Sequence, residues 1–108
     1  MRNLLALFLV LISISSFSQK KFAWVSGKLM DENENPLPGV SVVILGKASG
    51  MITNDSGYFR IRVNAGHAAA LVFSHAGYID VQKNFYLSEG EEEKISIRLE
   101  PGRKTNLG

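Results

Sequence analysis

The chain has 108 residues, 45% of them hydrophobic and 20% charged, with 10 Gly, 3 Pro and no Cys. That is room for one domain, and it is too apolar for a disordered chain. Twelve basic against 10 acidic residues leave a formal charge of +2 with the signs interspersed, so no basic face for nucleic acid is legible, and the absence of Cys excludes disulfides, cysteine nucleophiles, thiolate metal sites and a lipid-modified N-terminal cysteine.

Met1-Arg2-Asn3 is a short, positively charged start, Leu4 to Ile14 is apolar except for Ser13, and small residues stand at Ser16 and Ser18. This order predicts a secretory signal peptide over residues 1–18, cleaved after Ser18. The alternative, an uncleaved anchor, needs about 20 apolar residues, and this run is roughly half as long. The expectation is an exported protein that begins at Gln19, keeps no transmembrane segment after cleavage, folds over residues 19–101 and ends in a flexible tail, 102–108. A domain of this size buries about 60–65% of the surface its unfolded chain exposes, so without disulfides it depends on a well-packed core.

After position 21 the apolar residues alternate, and Gly, Asn, Asp or Pro interrupts them every 8–12 residues, the rhythm of an antiparallel sandwich or barrel. The first strand runs from Phe22 to Met30, with Ala23, Val25, Gly27 and Leu29 on one face and Trp24, Ser26 and Lys28 on the other. Asp31 to Pro36 is a polar turn, and Pro38-Gly39 re-aims the chain into Val40 to Leu45. There Val40, Val42 and Ile44 oppose Val43 and Leu45, which predicts cover on both sides. Met51 to Thr53 is a short strand, and Asn54-Asp55-Ser56-Gly57 is a tight turn in which Gly57 supplies a positive φ. In Tyr58 to Val63, Phe59, Ile61 and Val63 point inward, and Tyr58, Arg60 and Arg62 outward. Ala69 to His75 is the most apolar segment, anchored by Leu71 and Phe73. Ala76-Gly77 breaks it before Tyr78 to Val81. Phe85 to Leu87 and Lys94 to Leu99 follow, and Pro101 ends the fold.

Three stretches carry a resemblance. Val25-Ser26-Gly27-Lys28-Leu29 with Pro36 to Val42, then Thr53 to Phe59, then Leu71 to Tyr78, resemble in order the signatures of the carboxypeptidase regulatory-like domain family. The resemblance covers roughly Lys21 to Pro101. It implies an all-β, seven-stranded antiparallel Greek-key β-sandwich of prealbumin (transthyretin-like) type, without peptidase residues. The chain is most similar to the version at the N-terminus of TonB-dependent outer-membrane receptors of Gram-negative bacteria. Pro36, Pro38 and Gly39 are read as stiffening the way into a core strand, Gly57 as enabling a hairpin, and Gly77 as allowing a bend where a side chain would clash. Asn54 stands where the family has Asp, and the segment from Gly66 to Leu71 is about two residues long for the family, leaving that hairpin's register open.

Chemistry is sparse. Asp31-x-Asn33-x-Asn35 imitates the start of an EF-hand loop, but Pro36 and Val42 stand where Gly and Glu are required. His67 and His75 lack acidic or cysteine ligands at useful spacing. Ser74 and His75 are neighbours in an extended strand and point to opposite faces, which excludes a triad built on them. No metal, cofactor or catalytic residue is assigned. Trp24, Tyr58, Arg60, Arg62 and Tyr86 face outward by parity and form the candidate binding surface. The run from Glu89 to Glu93 reads as a solvated loop.

Three functions follow from these readings. The first is an exported, non-enzymatic structural or protein-interaction module at the periplasm, outer membrane or cell surface of a Gram-negative bacterium. Its partner would be an outer-membrane receptor or surface lipoprotein, which makes it accessory to TonB-dependent uptake. The second is a carbohydrate-binding module that uses the outward aromatics to stack a glycan. The third is an N-terminal fragment of such a receptor, suggested by the chain's end soon after Pro101.

Overall fold

The computed structural model describes residues 21–102. The signal peptide expected over 1–18, and the tail beyond Gly102, lie outside the described residues. Seven strands form: β1 (Phe22–Met30), β2 (Ser41–Ile44), β3 (Gly50–Ile52), β4 (Tyr58–Asn64), β5 (Ala68–Ser74), β6 (Val81–Tyr86) and β7 (Glu92–Arg98). They make a three-stranded sheet, β4-β1-β7, and a four-stranded sheet, β3-β2-β5-β6, packed face to face as a sandwich.

Alternation fixes which residues meet between the sheets. On β4, Phe59, Ile61 and Val63 are buried and the residues between them are exposed, as the period of two demands. Ala23, Val25 and Leu29 of β1, Val42 of β2, Leu71 and Phe73 of β5 and Ile97 of β7 complete the centre. Phe59 and Phe73 come from opposite sheets and meet edge to face, with ring centroids 5.4 Å apart.

Several expectations are corrected. The sandwich is not wholly antiparallel: β1 and β7 run parallel, pairing Val25 with Glu93 and Leu29 with Ile97. Parity assigns a residue to a face but says nothing of the neighbouring strand, so this pairing was hidden. The segments Tyr78–Val81 and Phe85–Leu87 are not separate strands. One strand, β6, spans Val81–Tyr86, while Tyr78 makes only an isolated bridge to Pro101. Beyond the isolated bridge, Ile79 donates its N–H to Glu100 and Gly102 donates its own to Gly77. The Glu89–Glu93 run is a loop only as far as Glu91, since Glu92 and Glu93 open β7. Val43 is half-buried and Leu45 is 57% exposed, so β2 is covered on one side only.

Only the β2–β3 and β5–β6 connections stay within one sheet. The Asn54–Gly57 turn is therefore not a hairpin but an arch from one sheet to the other, and the Gly66 segment is likewise a crossing. Asn54 Oδ1 accepts the N–H groups of Ser56 and Tyr58 at 3.0 and 2.9 Å, the local bonds an Asp would make. Gly57 has φ +74°, and Gly77 has φ +86°. A side chain at Gly77 would meet nothing within 4 Å, so its handedness, not crowding, selects glycine there.

Thr53 stitches the β1–β2 arch to β3. Its buried Oγ1 accepts the Val40 N–H at 2.9 Å and donates to the Leu37 carbonyl at 2.8 Å, below the Pro38-Gly39 bend. Thr53→Val keeps the shape and orphans both groups, and is expected to lower the unfolding free energy by about 1–3 kcal/mol. Thr53→Ser should lose less, and denaturant unfolding of the pair measures the difference.

Candidate functional site

The five outward residues do not form one surface. Trp24, Tyr58, Arg60 and Arg62 lie on the outer face of the three-stranded sheet, whereas Tyr86 lies on the outer face of the other. On the first face, β1 and β4 pair so that Arg62 stands opposite Trp24 and Arg60 opposite Ser26, and each arginine leans diagonally over a β1 aromatic. The Arg60 guanidinium carbon sits 3.7 Å above the Trp24 ring, and that of Arg62 sits 4.2 Å above Phe22. Arg60 also grips Glu92 of β7, its Nε donating at 3.3 Å and Nη2 at 3.2 Å. Trp24 is half-buried under this arrangement, and the charge of Arg60 is matched by Glu92 within the domain.

Hydrogen bonds from Arg60, then from the Ser26 hydroxyl, hold the Glu92 carboxyl below the usual glutamate range. A carboxyl lowered in the folded state contributes stability that is complete above its unfolded pKa and is lost as pH falls through its folded one. In a carbon-detected NMR titration, Glu92 is expected to protonate below the ordinary glutamate range, and Arg60→Gln should return it towards that range. A titration of Glu92 that ignores Arg60→Gln would show that the contact does not persist in solution.

The outer face of the four-stranded sheet is different. Its outward positions are Gly50 and Ile52 of β3, Ser41 and Val43 of β2, Ala68, Ala70, Val72 and Ser74 of β5, and Gln82, Asn84 and Tyr86 of β6. The register aligns Gly50, Val43, Val72 and Gln82 in one row, with Ala70 beside Asn84 and Ala68 beside Tyr86. None of these residues is charged, whereas Lys28, Arg60, Arg62, Glu92, Lys94 and Arg98 stand on the opposite outer face. Leu45, Ile52 and Tyr86 are 57%, 64% and 72% exposed, with Ile52 and Tyr86 at opposite corners of this sheet and the uncharged rows between them. The parity reading missed this face because it took Val43 and Leu45 as covered and had no means of sorting outward residues by sheet.

At the opposite end from the start of β1, Asp31 Oδ1 accepts the N–H groups of Asn33 and Asn35 at 2.8 and 2.9 Å, so the EF-hand-like stretch closes on itself as a turn. Tyr78 donates to Glu32 at 3.3 Å nearby. Burial, and then the Glu32 carboxylate, push its phenol up. Among the described residues, no group of three or more His, Asp or Glu converges to hold a metal ion. No helix of the described residues is long and apolar enough to cross a membrane.

A family model described as the CarboxypepD_reg-like domain matches residues 25–106. No curated protein matches the chain in sequence. Solved structures share the fold at low identity. A chain of a mutant type II cohesin–X-dockerin complex from Acetivibrio cellulolyticus superposes with TM-score 0.61 at 21% identity, covering 74% of this chain and 58% of its own. The minor pilin GBS52 of Streptococcus agalactiae gives 0.61 at 13%, covering 82% and 48%. The 3-chlorocatechol 1,2-dioxygenase of Rhodococcus opacus gives 0.59 at 9%, covering 81% and 63%. The chain thus spans less than two thirds of the length of each. At these identities the likeness concerns the sandwich alone.

Proposed function

The chain belongs to the CarboxypepD_reg-like domain family, and from that premise we propose that it is an exported, non-enzymatic module that docks a protein of the cell envelope. The docking face is the outer face of the four-stranded sheet. One observation carries this reading: a continuous row of outward positions without a charge, flanked by exposed Leu45, Ile52 and Tyr86. The cores of protein interfaces are depleted of charge in the same way. The partner is an outer-membrane receptor or surface lipoprotein, which makes the domain an accessory of TonB-dependent uptake. The charged leader-like start of the sequence and the family resemblance support the location. Two of the structural neighbours, from a cohesin–X-dockerin complex and a pilus, are parts of protein assemblies.

The sugar-stacking reading through Trp24 has less behind it, because Arg60 occupies a face of that ring. The test is photo-cross-linking in the native envelope, with a benzophenone side chain at position 86 or, as control, at Ser96 on the other sheet. A discrete protein adduct from position 86 and none from position 96 is expected. Equal labelling from both, or none from 86, would sink the proposal.

A further inference from the structure

We infer that the cleft at the end of the sandwich where β1 starts holds an anionic, polyhydroxylated ligand, its oxyanion seated among Lys21, Lys47, Arg62 and His67. Four separate segments bring these bases together: the residue before β1, the β2–β3 turn, the outward face of β4 and the bend before β5. With Phe22 and Asn64 they line one concavity, and no carboxylate lines it among the described residues. The nearest acidic group on these bases is Glu89, 3.8 Å from Lys21, and both side chains are largely exposed. A pair so placed exchanges readily for a ligand anion. Arg62 is held in position by its stacking on Phe22.

The concavity continues along the start of β5, where Ala68, Ala69 and Ala70 leave a trough that larger side chains would fill. Ile44, Leu45 and Ser49 line it on the β2 side, and Gln82 and Asn84 on the β6 side. Gln82 Nε2 donates to Asn84 Oδ1 at 3.1 Å, which fixes both amides and leaves the Asn84 amide group and the Gln82 carbonyl free to bond hydroxyls. Cations at one end and paired amides along the wall suit an acidic sugar, whether a uronate or a sugar phosphate, better than an apolar side chain. Since the bases are near the surface, attraction should decay within a screening length of about 10 Å at moderate salt. The trough shares Leu45, Ala68, Ala70, Gln82 and Asn84 with the proposed docking face, so ligand and partner compete there. The two readings fail separately, since titration of the purified protein tests the ligand and cross-linking at position 86 in the envelope tests the partner.

The experiment is a two-dimensional amide NMR titration of the purified protein at low salt with tri-galacturonate, with glucose 1-phosphate and with neutral maltotriose. Saturable shifts at Lys47, Arg62, His67 and Ala70 are expected with at least one anion, and the one that binds identifies carboxylate or phosphate as the source. Lys47→Gln, in an exposed turn, should weaken that binding about tenfold by removing one charge-assisted contact, while Ser96→Ala, on β7, should leave it unchanged. Saturation by neither anion, equal binding of maltotriose, or an unaltered affinity in Lys47→Gln would overturn the inference.

Discussion

Phe73→Ala is expected to lower the unfolding free energy by about 3–5 kcal/mol, the usual loss when a buried aromatic leaves a cavity. Phe73 is fully buried on β5, which is flanked by β2 and β6. Its ring meets Phe59 of the other sheet edge to face, so truncation removes packing within one sheet and the aromatic contact between the two. Natural domains have only about 5–15 kcal/mol in total, and a domain this small sits towards the lower part of that range. Phe73→Leu, which retains most of the volume, should cost less and remain measurable if the Ala variant does not fold. Tyr86→Ala, on the exposed face, should change stability by no more than about 0.5 kcal/mol. Urea unfolding followed by far-ultraviolet circular dichroism reads all three. Near-equal losses for Phe73→Ala and Tyr86→Ala would mean that Phe73 does not anchor the core.

The inward residues were legible because burial on one side of a strand imposes a period of two, and β4 shows it without exception from Tyr58 to Asn64. The turns were legible where Asn54 and Gly57 bond locally, since their chemistry acts over a few residues. Pairing was not. The parallel contact of β1 with β7 joins residues some 70 positions apart, and nothing in either strand's alternation distinguishes that neighbour from another. The candidate surface failed for a related reason. A sandwich has two outward faces, and parity placed Tyr86 with Trp24 and Arg60 although they stand on opposite sides. The basic concavity was hidden by the interspersed charges, because Lys21, Lys47, Arg62 and His67 come together only once the loops at one end are assembled. In β6, the outward Gln82 and Asn84 and the exposed Lys83 break the apolar pattern, so only the two ends of the strand show in the sequence.

Gly57→Val should destabilise more than any other turn substitution considered, by about 3 kcal/mol or more. Two costs combine. The residue has φ +74°, where a side chain raises the backbone energy by about 1–2 kcal/mol, and β-branching adds to that. The second cost is crowding. A Cβ built on Gly57 would lie 2.6 Å from the Leu29 carbonyl oxygen and 2.9 Å from the Leu37 nitrogen. Those two atoms belong to backbone that is itself bonded: Leu37 donates to Leu29 at 2.9 Å, and Leu29 donates to Gly57 at 2.8 Å. Relief therefore requires the end of β1, the β1–β2 arch and the β3–β4 arch to separate, at about 1–3 kcal/mol in line with overpacked sites. Gly66 isolates the first cost, since it has φ +75° with nothing within 4 Å of a Cβ. Gly66→Ala should thus cost about 1 kcal/mol, and Gly57→Ala distinctly more. If thermal melts gave the two alanine variants the same loss, the three segments would not converge on Gly57 as described. A larger loss at Gly57 locates there the point where the end of β1 and two of the arches between the sheets are held together.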